Sequence, residues 1–175
     1  MRKNNLVLGI DPGIAGAFVV TDGVKEIHIF DMPLSKVDPD RKVSFFKVKG
    51  LLELIKAKFG PIPVYLERAL PMAMGSKGAF NYGRGFEAIV ISLEILKFPL
   101  TLIEPSKWAK EMHQGISADL KPKAKSALAV DRLFPALSPL LPKKPKGGAK
   151  DGPIDALLIA GYGIRRFNRN SDDFF

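Results

Sequence analysis

The sequence predicts an α/β domain built on a mixed five-stranded sheet with helices on both faces. Three observations predict it. Three β-rich segments open the chain with only short turns between them. From residue 42 onward, helix-like and strand-like segments alternate. The strand-like segments are apolar on consecutive residues, as strands covered on both sides are. The chain has 175 residues, 46% of them hydrophobic and 26% charged, which suits a single domain with a full core.

"LVLGID" reads as a buried first strand ended by Pro12-Gly13. "GAFVV", the turn pair Asp22-Gly23 and "EIHIF" follow, so the first three strands form an antiparallel meander. The Asp- and Pro-rich "DMPLSKVDPDR" is a loop. Over residues 42–59, Phe45, Val48, Leu52, Ile55 and Phe59 share one helical face, and Gly60-Pro61 ends the helix. "PVYLE" is a short strand ending in Glu67, followed by the loop "RALPMAMGSKG". Residues 79–98 make a long helix, and "LTLIE" a fifth strand. "PSKWAKEMH" starts a helix with Pro in its first turn, and residues 122–134 form the next. "PALSPLLPKKPKGGAK" reads as a flexible loop, a last helix starts at Asp151, and residues 166–175 read as a frayed tail. Trp108 and Phe134 are assigned to the core. No repeat or second domain is visible, so residues 1–175 are one domain.

Composition narrows the chemistry. There are 27 Lys and Arg against 18 Asp and Glu, a net charge of +9 that favours a polyanionic partner, nucleic acid before an acidic membrane surface. Without cysteine, disulfides and thiolate metal sites are excluded. Two histidines, His28 and His113, are too few for a histidine-rich zinc site. A metal must be held mainly by oxygen, which points to Mg²⁺ or Mn²⁺. The apolar run after "MRKNN" is too short for a signal peptide, and no apolar stretch is long enough to span a bilayer. The expectation is a cytoplasmic protein without a membrane partner or an organic cofactor.

Four acids stand where chemistry is placed on such a sheet. Asp11 ends the first strand between Gly9 and Gly13, and Glu67 ends a later strand. Asp151 and Asp155 open the last helix, four residues apart on one face. Each has a plainer reading. Asp11 before Pro-Gly can be a turn residue, Glu67 an exposed strand-end acid, and Asp151 a helix cap. Asp155 is set among Ile154, Leu157 and Leu158 and needs a partner. Four converging carboxylates would repel one another unless some took up protons or a cation intervened. Two divalent metals about 4 Å apart would resolve the conflict and equip the site for phosphodiester hydrolysis.

The segments "GIDPGIAGAF", "VYLERA", "AFNYGRG", "KAKSALA" and "KDGPIDALLIA", in this order, resemble RuvC-like Holliday junction resolvases, most closely the small phage and bacterial members. The resemblance covers most of residues 5–163. It implies an RNase H-like fold, a homodimer and metal-dependent symmetric nicking of four-way DNA junctions. It also implies Asp11, Glu67, Asp151 and Asp155 as catalytic, metal-binding acids, with two Mg²⁺ per site and Mn²⁺ as a substitute. Many relatives space the last two acids three apart; here they are four apart, with Pro153 between.

Between residues 121 and 150 the chain carries eight bases and one acid. Lys121, Lys123, Lys125, Lys143, Lys144 and Lys146 are candidate phosphate contacts, although a solvated charged face is the plainer reading of any one. Lys125 matches a basic position that the resemblance links to DNA. Lys107 and Lys110 around Trp108, and Arg84 in "NYGRG", are further candidates. Leu70 matches the position from which relatives wedge a side chain into the junction; Met72 and Met74 lie nearby. Surplus apolar residues in "FNYGRGFEAIVISLEIL" serve either the core or a homodimer interface. Three other functions stay open: an RNase H-like nuclease for other branched DNA or RNA–DNA hybrids, a non-catalytic nucleic-acid-binding module, and an actin-like ATPase. The last normally needs a longer chain with two phosphate loops, and one is visible here.

Overall fold

The computed structural model describes residues 5–35, 42–68, 75–145 and 147–172, with side chains as far as Phe167. The strands are β1 (Val7–Asp11), β2 (Ala17–Thr21), β3 (Ile27–Asp31), β4 (Val64–Glu67) and β5 (Leu100–Ile103). They form one sheet in the order β3-β2-β1-β4-β5. The meander β1-β2-β3 is antiparallel, while β4 and β5 add in parallel on the other side of β1. The turn between β2 and β3 is closed by Asp22, whose Oδ1 accepts the backbone N–H groups of Val24, Lys25 and Glu26, each at 2.9 Å. Gly23 supplies the positive φ of 75°.

Among the described residues, five α-helices cover the sheet: α1 (Phe45–Phe59), α2 (Ser76–Ile95), α3 (Pro105–Met112), α4 (Pro122–Leu133) and α5 (Asp151–Asp172). Their order along the chain is the one the sequence predicts. The last helix continues to Asp172, into the segment expected to fray.

Strand alternation divides the core in two. Leu8, Ile10, Phe18, Val20, Val64 and Leu66 point to one face, where Val48, Leu52 and Ile55 of α1 and Ile89 and Leu93 of α2 close over them. Val7, Ala17, Val19 and Tyr65 point to the other, under Trp108, Ala129, Val130, Phe134 and the apolar face of α5. That is why β1 and β2 are apolar at successive positions.

Helix α5 lies directly on β1, and Gly9 makes this possible. A Cβ on Gly9 would sit 2.2 Å from the carbonyl oxygen of Ala156 and 2.5 Å from the backbone nitrogen of Ala160. The same helix is tied to α3 by Glu111, whose Oε2 accepts from Arg166 Nη2 at 2.6 Å, while that guanidinium lies 4.8 Å from the Tyr162 ring centroid.

The Pro-, Lys- and Gly-rich segment after α4 is not the loose loop expected. Leu137 and Leu141 are buried, a 3-10 turn spans Ser138–Leu140, and Lys143 bridges to Ala149. Two leucines at the right spacing hold a stretch whose composition alone reads as a linker.

Candidate active site

The sheet register sets the first two acids side by side. Gly9 pairs with Tyr65 and Ile10 with Leu66 in the parallel β1–β4 ladder, so the next step brings Asp11 beside Glu67. Both follow the parity of Val7 and Tyr65 and therefore face α5. Asp155 comes down from the first turns of α5, one residue before the Ala156 that touches Gly9.

These three carboxylates share one electrostatic environment. Asp11 is pushed up to about 6, chiefly by burial; the N–H of Gly13, 3.1 Å from its Oδ1, opposes the shift and Glu67 adds to it. Asp155 is also pushed up to about 6, again chiefly by burial. A hydrogen bond from Ser126 opposes this, and the charges of Asp11 and Asp151 add to it. Burial raises Glu67 too, against a 2.7 Å hydrogen bond donated by Trp108 Nε1 to its Oε2, with Asp155 as the repelling neighbour. Each acid thus feels another of the set, and none of the three has an ion-pair partner among the described residues.

Asp151 differs. It stands in the first turn of α5 and is held below the usual carboxylate range by hydrogen bonds from Lys123 and Lys144, whose Nζ atoms lie 2.8 and 2.5 Å away. It is coupled to Asp155 but faces the basic rim. Beside it opens a cavity of about 480 Å³ with Ala127, Val130, Leu141 and Ile154 as its floor and Lys123, Lys143 and Lys144 at its edge.

The remaining basic candidates are dispersed. Lys121 and Lys125 join Lys123 at the start of α4, with Lys125 partly buried. Lys107 pairs with Glu104 at 3.9 Å and lines a shallow pocket with Arg68 beyond β5, and Lys110 is exposed on α3. Arg84 is exposed on α2, 5.6 Å from the Phe80 ring centroid. Lys146, Leu70, Met72 and Met74 lie outside the described residues.

Two polar contacts in this site escape the sequence reading. Trp108, assigned to the core, is buried yet holds Glu67 from 41 positions away. Ser126, buried on α4, holds Asp155. Only the neighbourhood of Ser126 carries a signal, since "KAKSALA" is one of the segments in the resemblance.

The donor set suits a hard divalent cation: three oxygen ligands, partly buried, mutually repelling and without a cation of their own. Among the described residues, no three His, Asp or Glu side chains are gathered closely enough to cage a metal as they stand. Asp151 is the acid set apart from the other three, paired with Lys123 and Lys144.

Solved structures with this architecture exist. A Thermus thermophilus RuvC in complex with a Holliday junction substrate superposes with a TM-score of 0.65, over 95% of this chain and 96% of that one, at 18% identity. This chain has the RuvC fold. A second Thermus thermophilus RuvC structure gives a TM-score of 0.62 at 18% identity, over 93% and 96% of the two chains. No protein-family model matches the chain, nor does the sequence of any curated protein. The RuvC fold agrees with the expected RNase H-like mixed sheet. Among the described residues, no helix is long and apolar enough to cross a membrane.

Proposed function

We propose that the protein is a metal-dependent, structure-selective endonuclease that resolves four-way DNA junctions by paired symmetric nicks. One observation carries this reading: Asp11, Glu67 and Asp155 converge, partly buried and mutually repelling, at the strand ends of a RuvC fold in a chain of net charge +9. Asp11, Glu67 and Asp155 would hold Mg²⁺, or Mn²⁺ in its place. A pair of such ions supplies an activated water and a counter-charge for the leaving oxygen. The chain's own residues do the rest. Burial makes the acids costly to ionise alone, which favours cation uptake. Trp108 and Ser126 each fix one carboxylate by a hydrogen bond. Lys123 and Lys144 present ammonium groups to a backbone phosphate, and a phosphate that takes them over leaves Asp151 free to join the other acids.

Two symmetric cuts need two sites, so the working unit is a homodimer. The exposed Phe80, Ile91 and Ile95 of α2 are one apolar surface that could serve it. The expected place of work is the cytoplasm of a bacterium or a phage-infected cell, where such junctions arise.

The deciding experiment is cleavage of a synthetic four-way junction beside linear duplex, with Mg²⁺ and with chelator. Paired nicks in the junction alone, lost with chelator, are the expected result. Cutting of every branched or hybrid substrate alike would keep the nuclease and remove the junction preference. Binding without cutting would leave a nucleic-acid-binding module.

The basic rim makes a separate prediction. Replacing Lys123, Lys143 and Lys144 by Met should make DNA affinity less sensitive to salt. The slope of log affinity against log salt should become shallower by about 0.9 for each phosphate that is no longer neutralised. An unchanged slope would take this rim off the DNA surface.

A further inference from the structure

We infer that His113 is a positioning residue that sets Asp155 through the hydroxyl of Ser126. The inference rests on the metal-dependent reading of the acidic cluster.

His113 caps the C-terminal end of α3, its backbone N–H donating to the carbonyl of Ala109 at 2.9 Å. Its Nε2 lies 3.2 Å from Ser126 Oγ. The hydrogen-bonding capacity of the two groups fixes the direction of that contact. An ionised carboxylate only accepts, so Ser126, bonded to Asp155, donates its single hydroxyl proton there. The oxygen of Ser126 can then only accept from His113, and Nε2 must carry a proton. The result is a polarised chain in which the imidazole N–H donates to a serine hydroxyl that donates to Asp155. On its other side the His113 ring meets the Trp108 ring edge-on, with centroids 5.8 Å apart and planes at 75°. The indole of Trp108 donates to Glu67 at 2.7 Å. One side chain outside the acidic cluster therefore abuts the partners of two acids that come from different elements.

The groups facing the ring are Trp108 and Ala109 of α3 and Lys125, Ser126 and Arg132 of α4, with Asp155 of α5 beyond the serine. Burial first, then Lys125 and Arg132, hold the imidazole below its usual range, which favours a neutral ring. A ring present only for packing has no need of the Nε2 proton. A ring that orients Ser126 does.

Two variants separate these roles. His113→Phe keeps a ring against Trp108 and deletes the donor, whereas His113→Gln keeps an N–H donor and deletes the ring. Mg²⁺ binding to metal-free, DNA-free protein is followed by the emission of Trp108, the only tryptophan of the chain, and in parallel by calorimetry, with thermal melting to confirm folding. His113→Phe should raise the Mg²⁺ midpoint about tenfold, the cost typical of losing a residue that orients a ligand. His113→Gln should retain the wild-type midpoint. In a Ser126→Ala background, His113→Phe should add nothing, because the two act in one chain. Equal midpoints for Phe and wild type, or a Gln variant as weak as Phe, would overturn the inference. So would a wild type that binds no Mg²⁺, which would remove the metal reading as well. If the titrations behave as expected and the junction is not cut, the positioning role stands and the proposed substrate falls.

Discussion

Asp11→Asn and Asp155→Asn are each expected to abolish cutting while making the metal-free protein more stable at pH 7.5. The loss of cutting should exceed the roughly 10–100-fold typical of residues that merely orient a ligand. The gain in stability follows from linkage. Each carboxyl stands near 3.8 in the unfolded chain and at about 6 in the fold. Between those values the native state holds more protons than the unfolded state, so stability falls as pH rises and has reached its lower level above about pH 6. A shift of this size corresponds to roughly 3 kcal/mol for a group titrating alone. The two acids repel each other, so their combined effect is not the sum. In Asp11→Asn the amide oxygen can still accept the N–H of Gly13, which leaves the turn intact. Melting with chelator at pH 4.5 and 7.5 checks the sign. The variants should gain at pH 7.5 and little at pH 4.5, and an equal loss at both would show that these acids are not the strained groups described.

Gly9→Ala should unfold the domain or leave it marginal. Its Cβ would meet the Ala156 carbonyl and the Ala160 nitrogen, which are backbone atoms in a buried helix and cannot swing aside. To make room, α5 must lift off β1 and expose Leu157 and Leu158, both fully buried. A loss of more than about 4 kcal/mol is expected, out of the roughly 5–15 kcal/mol typical of a domain. Gly50→Ala is the control. It lies within α1 with open space around it, so it should be neutral or stabilise by up to about 1 kcal/mol. Urea unfolding of both variants decides the matter. A Gly9→Ala protein as stable as wild type would mean that α5 does not lie so close to the sheet.

Much of the fold is legible in the sequence because its signals are local. The meander shows in its short turns, α1 in an apolar face that recurs at helical spacing, and the start of α5 in the acid-rich "KDGPID" before an apolar run. Four candidate acids at element ends are legible too. The division among those acids is not. That Asp151 pairs with Lys123 and Lys144 while Asp155 turns inward depends on how α4 and the segment before α5 pack against that helix, contacts between segments with no common periodicity. Trp108 is correctly placed in the core, but its indole N–H is a polar handle whose partner sits on another strand. Leu137 and Leu141 are hidden by the prolines and lysines around them.

The contact of α5 with β1 also bears on how the protein is made. Asp11 lies in β1 and Asp155 in α5, which is synthesised later, with β2 to α4 between them. Until α5 emerges, the Tyr65 side of the sheet lacks its main cover and the acidic cluster lacks a member. A chain that stalls during translation before residue 155 therefore carries the basic residues proposed to hold DNA but not the set of acids proposed to cut it. The long loop that must close between β1 and α5 delays folding. By the same token, it withholds the proposed DNA-cutting activity from incomplete chains.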